Sequence, residues 1–255
     1  MSHSLIEPGT VAIVTGGGRG IGKAIAQGLA AAGARCVIAD INDEGAQAVA
    51  AALGNDAISV RTDVSDEQSV SGMVDAALTA FGQVDVLINN AAINMSTSNL
   101  SLKPFWDIDL EEWNKVMSIN ATGAFLCSRH VAPHMKARTS GRIINLTSTA
   151  VALGRPNYLH YIASKSAIIG ITRSMARELG TYGVAVNAIS PGPVETEVPR
   201  QAASVDQHNA LLAMQCIPEA IRAEDIVGTA LFLCSHDSRL ITGQVITVDG
   251  GFVHN

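Results

Sequence analysis

The feature that most constrains the fold is a short apolar segment that runs directly into a cluster of glycines. Residues 11–15 are Val-Ala-Ile-Val-Thr, typical of a buried strand, and Gly-Gly-Gly-Arg-Gly-Ile-Gly follows. The alanine-rich segment from Ile21 to Ala32 then has helical character. Glycines at 16, 20 and 22 let the backbone approach a pyrophosphate, whose charge is favoured by the helix N-terminus. A tight turn without a ligand is the alternative, since a glycine cluster alone is weak evidence.

The residue that ends the next predicted strand indicates which dinucleotide is bound. That strand, 35–39, leads to Asp40, 18 residues beyond Gly22 and close to the offset of an acidic residue that binds ribose hydroxyls. A carboxylate there repels a 2′-phosphate and favours NAD, whereas Arg19 in the glycine loop would attract that phosphate. Because Asp40 would contact the hydroxyls directly, we predict NAD, with NADP as the alternative.

A second pattern carries the predicted chemistry. Tyr161 and Lys165 stand four residues apart, and Ser148 lies thirteen residues before Tyr161. Positions i and i+4 share one face of a helix, so the phenol and the ammonium would lie side by side. An adjacent cation lowers the pKa of a tyrosine from its ordinary value near ~10, which allows proton transfer near neutral pH. Tyr158 is a rival, but the residue four positions after it is Ile162.

Strand-like and helix-like segments alternate through the whole chain of 255 residues without a Pro, Gly and Ser linker, which predicts one domain, 1–255. Most strand candidates are apolar on both faces, as in a parallel sheet covered by helices on each side. The predicted fold class is therefore α/β, a single-domain, doubly wound, Rossmann-type parallel sheet of about seven strands. The strand candidates are residues 11–15, 35–39, 57–61, 84–89, 142–148, 184–190 and 244–248.

Taken together, these residues resemble the short-chain dehydrogenase/reductase family over essentially the whole chain. The family's Thr-Gly-x-x-x-Gly-x-Gly loop corresponds to Thr15 through Gly22, and its Asn-Asn-Ala-Gly element to residues 89–92, where Ala92 replaces the glycine. The added methyl would narrow the space beside the nicotinamide. The resemblance implies a catalytic tetrad of Asn120, Ser148, Tyr161 and Lys165.

The resemblance also implies the cofactor contacts. Asp63 corresponds to an acidic residue that contacts adenine, Pro191-Gly192 to a Pro-Gly element after the sixth strand, and Thr196 to a threonine that contacts the nicotinamide amide. The predicted cofactor-binding residues are Gly16, Gly18, Arg19, Gly20, Ile21, Asp40, Ile41, Asp63, Val64, Asn90, Ala91, Tyr161, Lys165, Pro191, Gly192, Val194 and Thr196.

The predicted reaction is ordered hydride transfer between NAD and a secondary alcohol, with the cofactor bound first. Tyr161 takes the hydroxyl proton, Ser148 orients the oxygen, and the Asn120 amide, on a long helix over about 110–135, holds a water that relays protons from Lys165. The resemblance favours aryl, alicyclic or polyol substrates. Two variable segments, 93–106 and 194–218, are expected to close the substrate pocket.

Two other functions stay open. An NADPH-dependent 3-oxoacyl-thioester reductase is one, although neither variable segment carries the basic cluster that would dock an acidic carrier protein. A non-catalytic dinucleotide sensor is the other, and such relatives usually lose the tyrosine or the lysine that this chain keeps.

Charge and hydropathy limit the classes of partner that this chain could have. The net charge is −6 and the 17 basic residues are scattered, which argues against a nucleic-acid surface. No apolar run reaches the ~18 residues that a membrane span needs, and Glu7 and Pro8 stand where a signal peptide would be apolar. We therefore expect a cytoplasmic enzyme that acts on small molecules. By resemblance it would be a homotetramer, through the apolar segments 121–131 and 167–175, which fit a buried core equally well.

Cysteine and histidine positions do not indicate a metal. The cysteines at 36, 127, 216 and 234 lack metal-type spacing, and we expect free buried thiols. His130 and His134 stand at i and i+4, but Pro133 between them predicts a solvated helix end. For His160 the sequence predicts no role.

Overall fold

The carboxyl ends of parallel strands form the edge on which the site is built. The computed structural model describes residues 5–54, 56–94, 100, 102–198 and 210–254. Within these residues, seven parallel strands form one sheet in the order β3-β2-β1-β4-β5-β6-β7. The predicted α/β doubly wound sheet is confirmed. The strands are β1 Val11–Thr15, β2 Arg35–Asp40, β3 Ala57–Arg61, β4 Val86–Asn89, β5 Gly141–Leu146, β6 Val184–Pro191 and β7 Val245–Val248.

Helices cover both faces of this sheet because successive strand residues point to opposite sides. On β1, Ala12 and Val14 pack into a core with α1, α2 and α8, whereas Ile13 packs into the core of α3, α5 and α7. The helices are α1 Gly20–Ala31, α2 Asp43–Leu53, α3 Glu67–Phe81, α4 Leu110–Met117, α5 Gly123–Arg138, α6 Ala150–Leu153, α7 Leu159–Leu179 and α8 Ala223–Cys234.

The strand order reverses between β1 and β4. From β1 the sheet continues through β2 and β3 on one side, and from β4 through β5, β6 and β7 on the other. In open α/β sheets, a crevice for ligands lies outside the carboxyl ends of the strands at this switch point. The glycine loop follows β1 and Asn90 follows β4, so both predicted cofactor elements border the crevice.

The helix predicted over 110–135 is present, but it contains a π-helical turn and extends farther. The turn, Ser118–Thr122, joins α4 to α5, and α5 continues through Pro133 to Arg138. The predicted end near residue 135 therefore lies about one turn before the observed end at Arg138. Val131 and Met135, on either side of the proline, are fully buried, and this packing offsets the hydrogen bond that proline cannot make.

One cysteine differs from expectation. Cys36, Cys127 and Cys234 are buried free thiols, and burial raises the pKa of each to about 12. Cys216 is also free but exposed, because it lies on an irregular segment outside the helices, where its Sγ is 3.8 Å from His254 Nε2. No helix of the described residues is long and apolar enough to cross a membrane.

Candidate active site

The glycine loop is held against the end of β4 by Asn90. The Asn90 side chain donates hydrogen bonds to the carbonyls of Thr15 (3.0 Å) and Gly16 (2.9 Å). Gly16 has φ +62°, and a Cβ there would lie 2.8 Å from the Cα of Ala91. A Cβ on Gly22 would collide with the Gly16 carbonyl. Glycine is therefore required at both positions by close backbone packing.

Asp40 lies at the carboxyl end of β2, beside the glycine loop. It is the last residue of β2 and is 8% exposed. Its Oδ2 accepts a hydrogen bond from the Gly18 N–H (2.9 Å) and its Oδ1 accepts one from the Asn42 N–H (2.9 Å). Backbone donors thus fix the carboxylate beside the glycine loop, and each oxygen keeps a lone pair for a further donor such as a ribose hydroxyl. Arg19, in contrast, is exposed at the start of α1.

The remaining predicted cofactor residues lie along the same edge of the sheet. Ile41 follows β2, Asp63 and Val64 follow β3, Pro191 ends β6, and Gly192 follows it. The segment from Val194 to Thr196 continues from there, and Thr196 lies against Gly20 at the start of α1. The structure thus brings the glycine loop, Asn90, Ala91 and Thr196 together. Ile21 is the second residue of α1. Residues 95–99, 101 and 199–209 of the predicted substrate segments lie outside the described residues.

A side chain that the sequence did not suggest sits at the N-terminus of α1. Glu197 Oε1 accepts a hydrogen bond from the Gly20 N–H (3.1 Å) and lies 3.5 Å from Lys23 Nζ. Partial burial opposes ionisation, but backbone N–H groups and Lys23 lower the pKa of this carboxyl overall. A carboxylate therefore occupies the position that favours the pyrophosphate of a dinucleotide. Only the fold reveals this contact, because 177 residues separate the two partners.

Removing the Glu197 charge is expected to strengthen cofactor binding. Glu197→Gln relieves repulsion between this carboxylate and a pyrophosphate at α1, so the Kd for NAD should fall about threefold, in line with ~0.3–1 kcal/mol for a charge at a helix end. Calorimetric titration with NAD measures the change. Glu195→Gln removes the same charge two residues away and is the control; an equal fall in both variants would argue against a local effect.

Tyr161 and Lys165 share the buried face of α7. Both are below 8% exposed, and Lys165 Nζ lies 5.9 Å from the centroid of the Tyr161 ring. The ammonium donates a hydrogen bond to the Leu146 carbonyl (2.8 Å) at the end of β5. Burial lowers the pKa of Lys165 to about 8. Ser148, two residues beyond β5, accepts a hydrogen bond from the Ala150 N–H (3.2 Å), so its own hydroxyl proton is available to a substrate oxygen.

The lowered pKa of Lys165 predicts how stability depends on pH. The ordinary pKa of lysine, 10.5, applies to the unfolded chain, so between pH 8 and 10.5 the unfolded state binds more protons and stability rises with pH. Below pH 8 both states are protonated, and the cost of burying the charge is fully present. Relative to Lys165→Met, the unfolding free energy of the wild type should rise by about 2 kcal/mol from pH 7.5 to 9.5. Urea denaturation without cofactor measures this; parallel curves would contradict it.

Asn120 lies on the π-helical turn, and both the oxygen and the nitrogen of its side-chain amide are hydrogen-bonded. Its Oδ1 accepts from the Ile93 N–H (2.8 Å), and its Nδ2 donates to the Ile93 carbonyl (3.0 Å) and to Ser164 Oγ (3.1 Å). The side chain therefore fastens the segment after β4 to the helix that carries Tyr161. The water relay predicted for Asn120 stays a prediction.

Two further side chains beside Tyr161 connect α7 to neighbouring parts of the chain, Tyr158 to the substrate segment and His160 to α4. Tyr158 packs edge-on against Tyr161, with ring centroids 5.3 Å apart, and its hydroxyl donates to Asn94 Oδ1 (2.9 Å). His160 is fully buried, and its Nε2 lies 2.9 Å from Glu112 Oε1 on α4.

The contact continues outward, because the other Glu112 oxygen is 2.5 Å from Lys103 Nζ. Sequence spacing did not indicate this link, because 48 residues separate His160 from Glu112.

The histidines at 130 and 134 do not belong to a cluster. His130 Nε2 lies 3.5 Å from Glu67 Oε1. Among the residues that the structure describes, no group of three or more His, Cys, Asp or Glu side chains is arranged to hold a metal ion.

Known proteins resemble this chain over nearly its whole length. A family model described as enoyl-(acyl carrier protein) reductase matches residues 16–253. A 3-oxoacyl-[acyl-carrier-protein] reductase from Synechocystis sp. is 40% identical over 250 residues, 95% of this chain and 96% of that protein. A cis-4-hydroxycyclohexanecarboxylate dehydrogenase from Sinomonas cyclohexanicum is 38% identical over 245 residues, again 95% of this chain and 96% of that protein.

A solved structure shares the whole fold. The crystal structure of a 3-ketoacyl-(acyl-carrier-protein) reductase from Brucella melitensis complexed with NADH superimposes with a TM-score of 0.88 at 32% identity, covering 96% of this chain and 98% of that one. The fold shared with that reductase, a doubly wound parallel sheet, defines a Rossmann-type oxidoreductase. The chain belongs to the short-chain dehydrogenase/reductase family, as its motifs suggested.

Proposed function

We propose that the protein transfers a hydride between NAD(H) and a secondary alcohol or its ketone, with an alicyclic, aryl or polyol skeleton. The observation that carries this proposal is the buried pair of Tyr161 and Lys165, with the ammonium 5.9 Å from the phenol ring. A fixed cation beside a phenol favours the phenolate and equips the tyrosine for proton transfer. The relative from Sinomonas cyclohexanicum, named for an alicyclic alcohol, supports the substrate class.

The residues around the crevice fit a dinucleotide. Gly16 and Gly22 let the glycine loop pack closely against Asn90 and Ala91. A pyrophosphate would accept hydrogen bonds from the N–H groups at the start of α1 in place of Glu197, and Asp40 offers a carboxylate to a ribose. The proposed NAD preference depends on that carboxylate, which disfavours a 2′-phosphate. When bound, the nicotinamide supplies the hydride acceptor.

The chain's own residues handle the proton and the substrate. Ser148 donates a hydrogen bond to the substrate oxygen, and Tyr161 takes the proton of the alcohol. Lys165 holds positive charge beside the phenol and contacts the nicotinamide ribose. Asn120 fastens the segment that begins at Ile93 over the site.

The test is a nicotinamide absorbance assay on the purified protein. NAD and NADP are compared against aryl, alicyclic and polyol secondary alcohols and against a 3-hydroxyacyl thioester. Turnover of one alcohol class with NAD supports the proposal. Turnover of the thioester alone, with NADP, overturns it.

The second candidate is an NADPH-dependent 3-oxoacyl-thioester reductase. The names of the Synechocystis and Brucella relatives favour it. Asp40 argues against its cofactor preference, and the same assay separates the two functions.

We further propose a cytoplasmic homotetramer with one domain, 1–255, in which residues 194–218 cover the substrate. Within the segment 121–131, Leu126, Cys127 and Val131 are core residues, so they are not available to an interface. Phe125, 41% exposed beneath the guanidinium of Arg129, is the part of α5 that another subunit would cover. Sedimentation velocity measures the assembly.

A further inference from the structure

The segment that joins Ser148 to Tyr161 carries a single arginine, Arg155, and no lysine. Its guanidinium carbon lies 4.9 Å from the centroid of the Tyr158 ring, and that ring lies 5.3 Å from the Tyr161 ring. Since 4.9 and 5.3 Å add to about 10 Å, the cation is at most that far from the centre of the predicted catalytic phenol. It is thus within reach of a small substrate held there.

Among the residues that the structure describes, Arg155 has no counterion. The side chain is exposed, and no described carboxylate forms an ion pair with it. A chain of net charge −6 repels anions at long range. An unpaired cation beside the site makes the electrostatic potential there locally positive. A positive group in this position favours a ligand of opposite charge.

The cation is also held in place. Stacking on the Tyr158 ring restrains the guanidinium through a cation–π contact. The Tyr158 ring is itself fixed, because it is 6% exposed, packs against Tyr161 and donates its hydroxyl to Asn94. A restrained guanidinium loses less conformational entropy on binding, and its paired N–H donors match the two oxygens of a carboxylate.

We propose that Arg155 binds a carboxylate of the substrate, so that the protein oxidises secondary alcohols that also carry a carboxylic acid group. This inference rests on the proposed function and narrows its substrate class. A 3-oxoacyl thioester has no carboxylate near its carbonyl and would leave the cation unpaired.

The test compares a cyclic hydroxy acid with its primary amide, which is uncharged and of nearly the same size. For the wild type with NAD, kcat/KM should favour the acid. In Arg155→Gln the ratio of acid to amide should fall about tenfold through KM, as expected for loss of one charged hydrogen-bonded pair worth ~1.5 kcal/mol. Arg155→Lys should retain part of the preference. Arg35→Gln, which removes a ring-stacked arginine at the amino end of β2, should leave the ratio unchanged.

An acid-to-amide ratio that is equal in wild type and Arg155→Gln overturns the proposal. A binding measurement keeps this result separate from failure of the proposed function. Cyclohexanecarboxylate is titrated by calorimetry into the protein saturated with NADH. Binding that weakens in Arg155→Gln supports the carboxylate site even if no alcohol is oxidised, and binding that is absent or equal in both proteins refutes it.

Discussion

Tyr161→Phe should reduce kcat for alcohol oxidation by about 10³-fold, within the range attributed to a positioned acid or base. The substitution removes only the phenolic oxygen, so the ring keeps its buried packing against Tyr158 and its place beside Lys165. NAD binding should change little. Steady-state kinetics and calorimetric titration with NAD measure the two effects.

Tyr158→Phe is the matched control. This tyrosine is equally buried and shares the aromatic contact, but its hydroxyl is bonded to Asn94 and no lysine stands four residues after it. We expect a loss of less than about tenfold, from weakened anchoring of the substrate segment. If Tyr161→Phe retains turnover, or if the two variants lose activity equally, Tyr161 is not the proton acceptor.

Asp40→Asn should shift cofactor preference toward NADP. The wild type is expected to prefer NAD because the fixed carboxylate accepts hydrogen bonds from ribose hydroxyls and repels a 2′-phosphate. Losing a charged hydrogen bond of ~1.5–3 kcal/mol should raise the NADP to NAD ratio of kcat/KM by about 30-fold or more. Initial rates with both cofactors and one alcohol measure the shift.

Two further variants test whether this shift comes from Asp40. Asp43→Asn removes a carboxylate three residues away, at the start of α2, and should leave the ratio within about twofold. Arg19→Gln tests the opposing residue of the glycine loop. A wild type that already prefers NADP, and loses that preference in Arg19→Gln, would mean that Arg19 outweighs Asp40.

Much of the site could be predicted because its parts are local in sequence. The glycine loop, Asp40 and the spacing from Tyr161 to Lys165 each lie within one element or its end. The carboxyl ends of the parallel strands lie at one edge of the sheet, as the alternation of strands and helices implies. The network of Glu112, His160 and Lys103 could not be predicted, since it joins two helices and a loop through side chains alone.

The sequence by itself determined the fold class, the alternation of strands and helices, and the residues of the predicted chemistry. These could be predicted because the period of the apolar residues, the positions of the glycines and the spacing from i to i+4 are all local properties of the chain. Tertiary structure alone decided that a π-helical turn joins α4 to α5, that Asn120 is bonded to Ile93, and that Glu197 lies on the start of α1. These outcomes depend on which surfaces pack together. Burial can outweigh a local preference, and a hydrogen bond between distant segments exists only once the chain has brought them together.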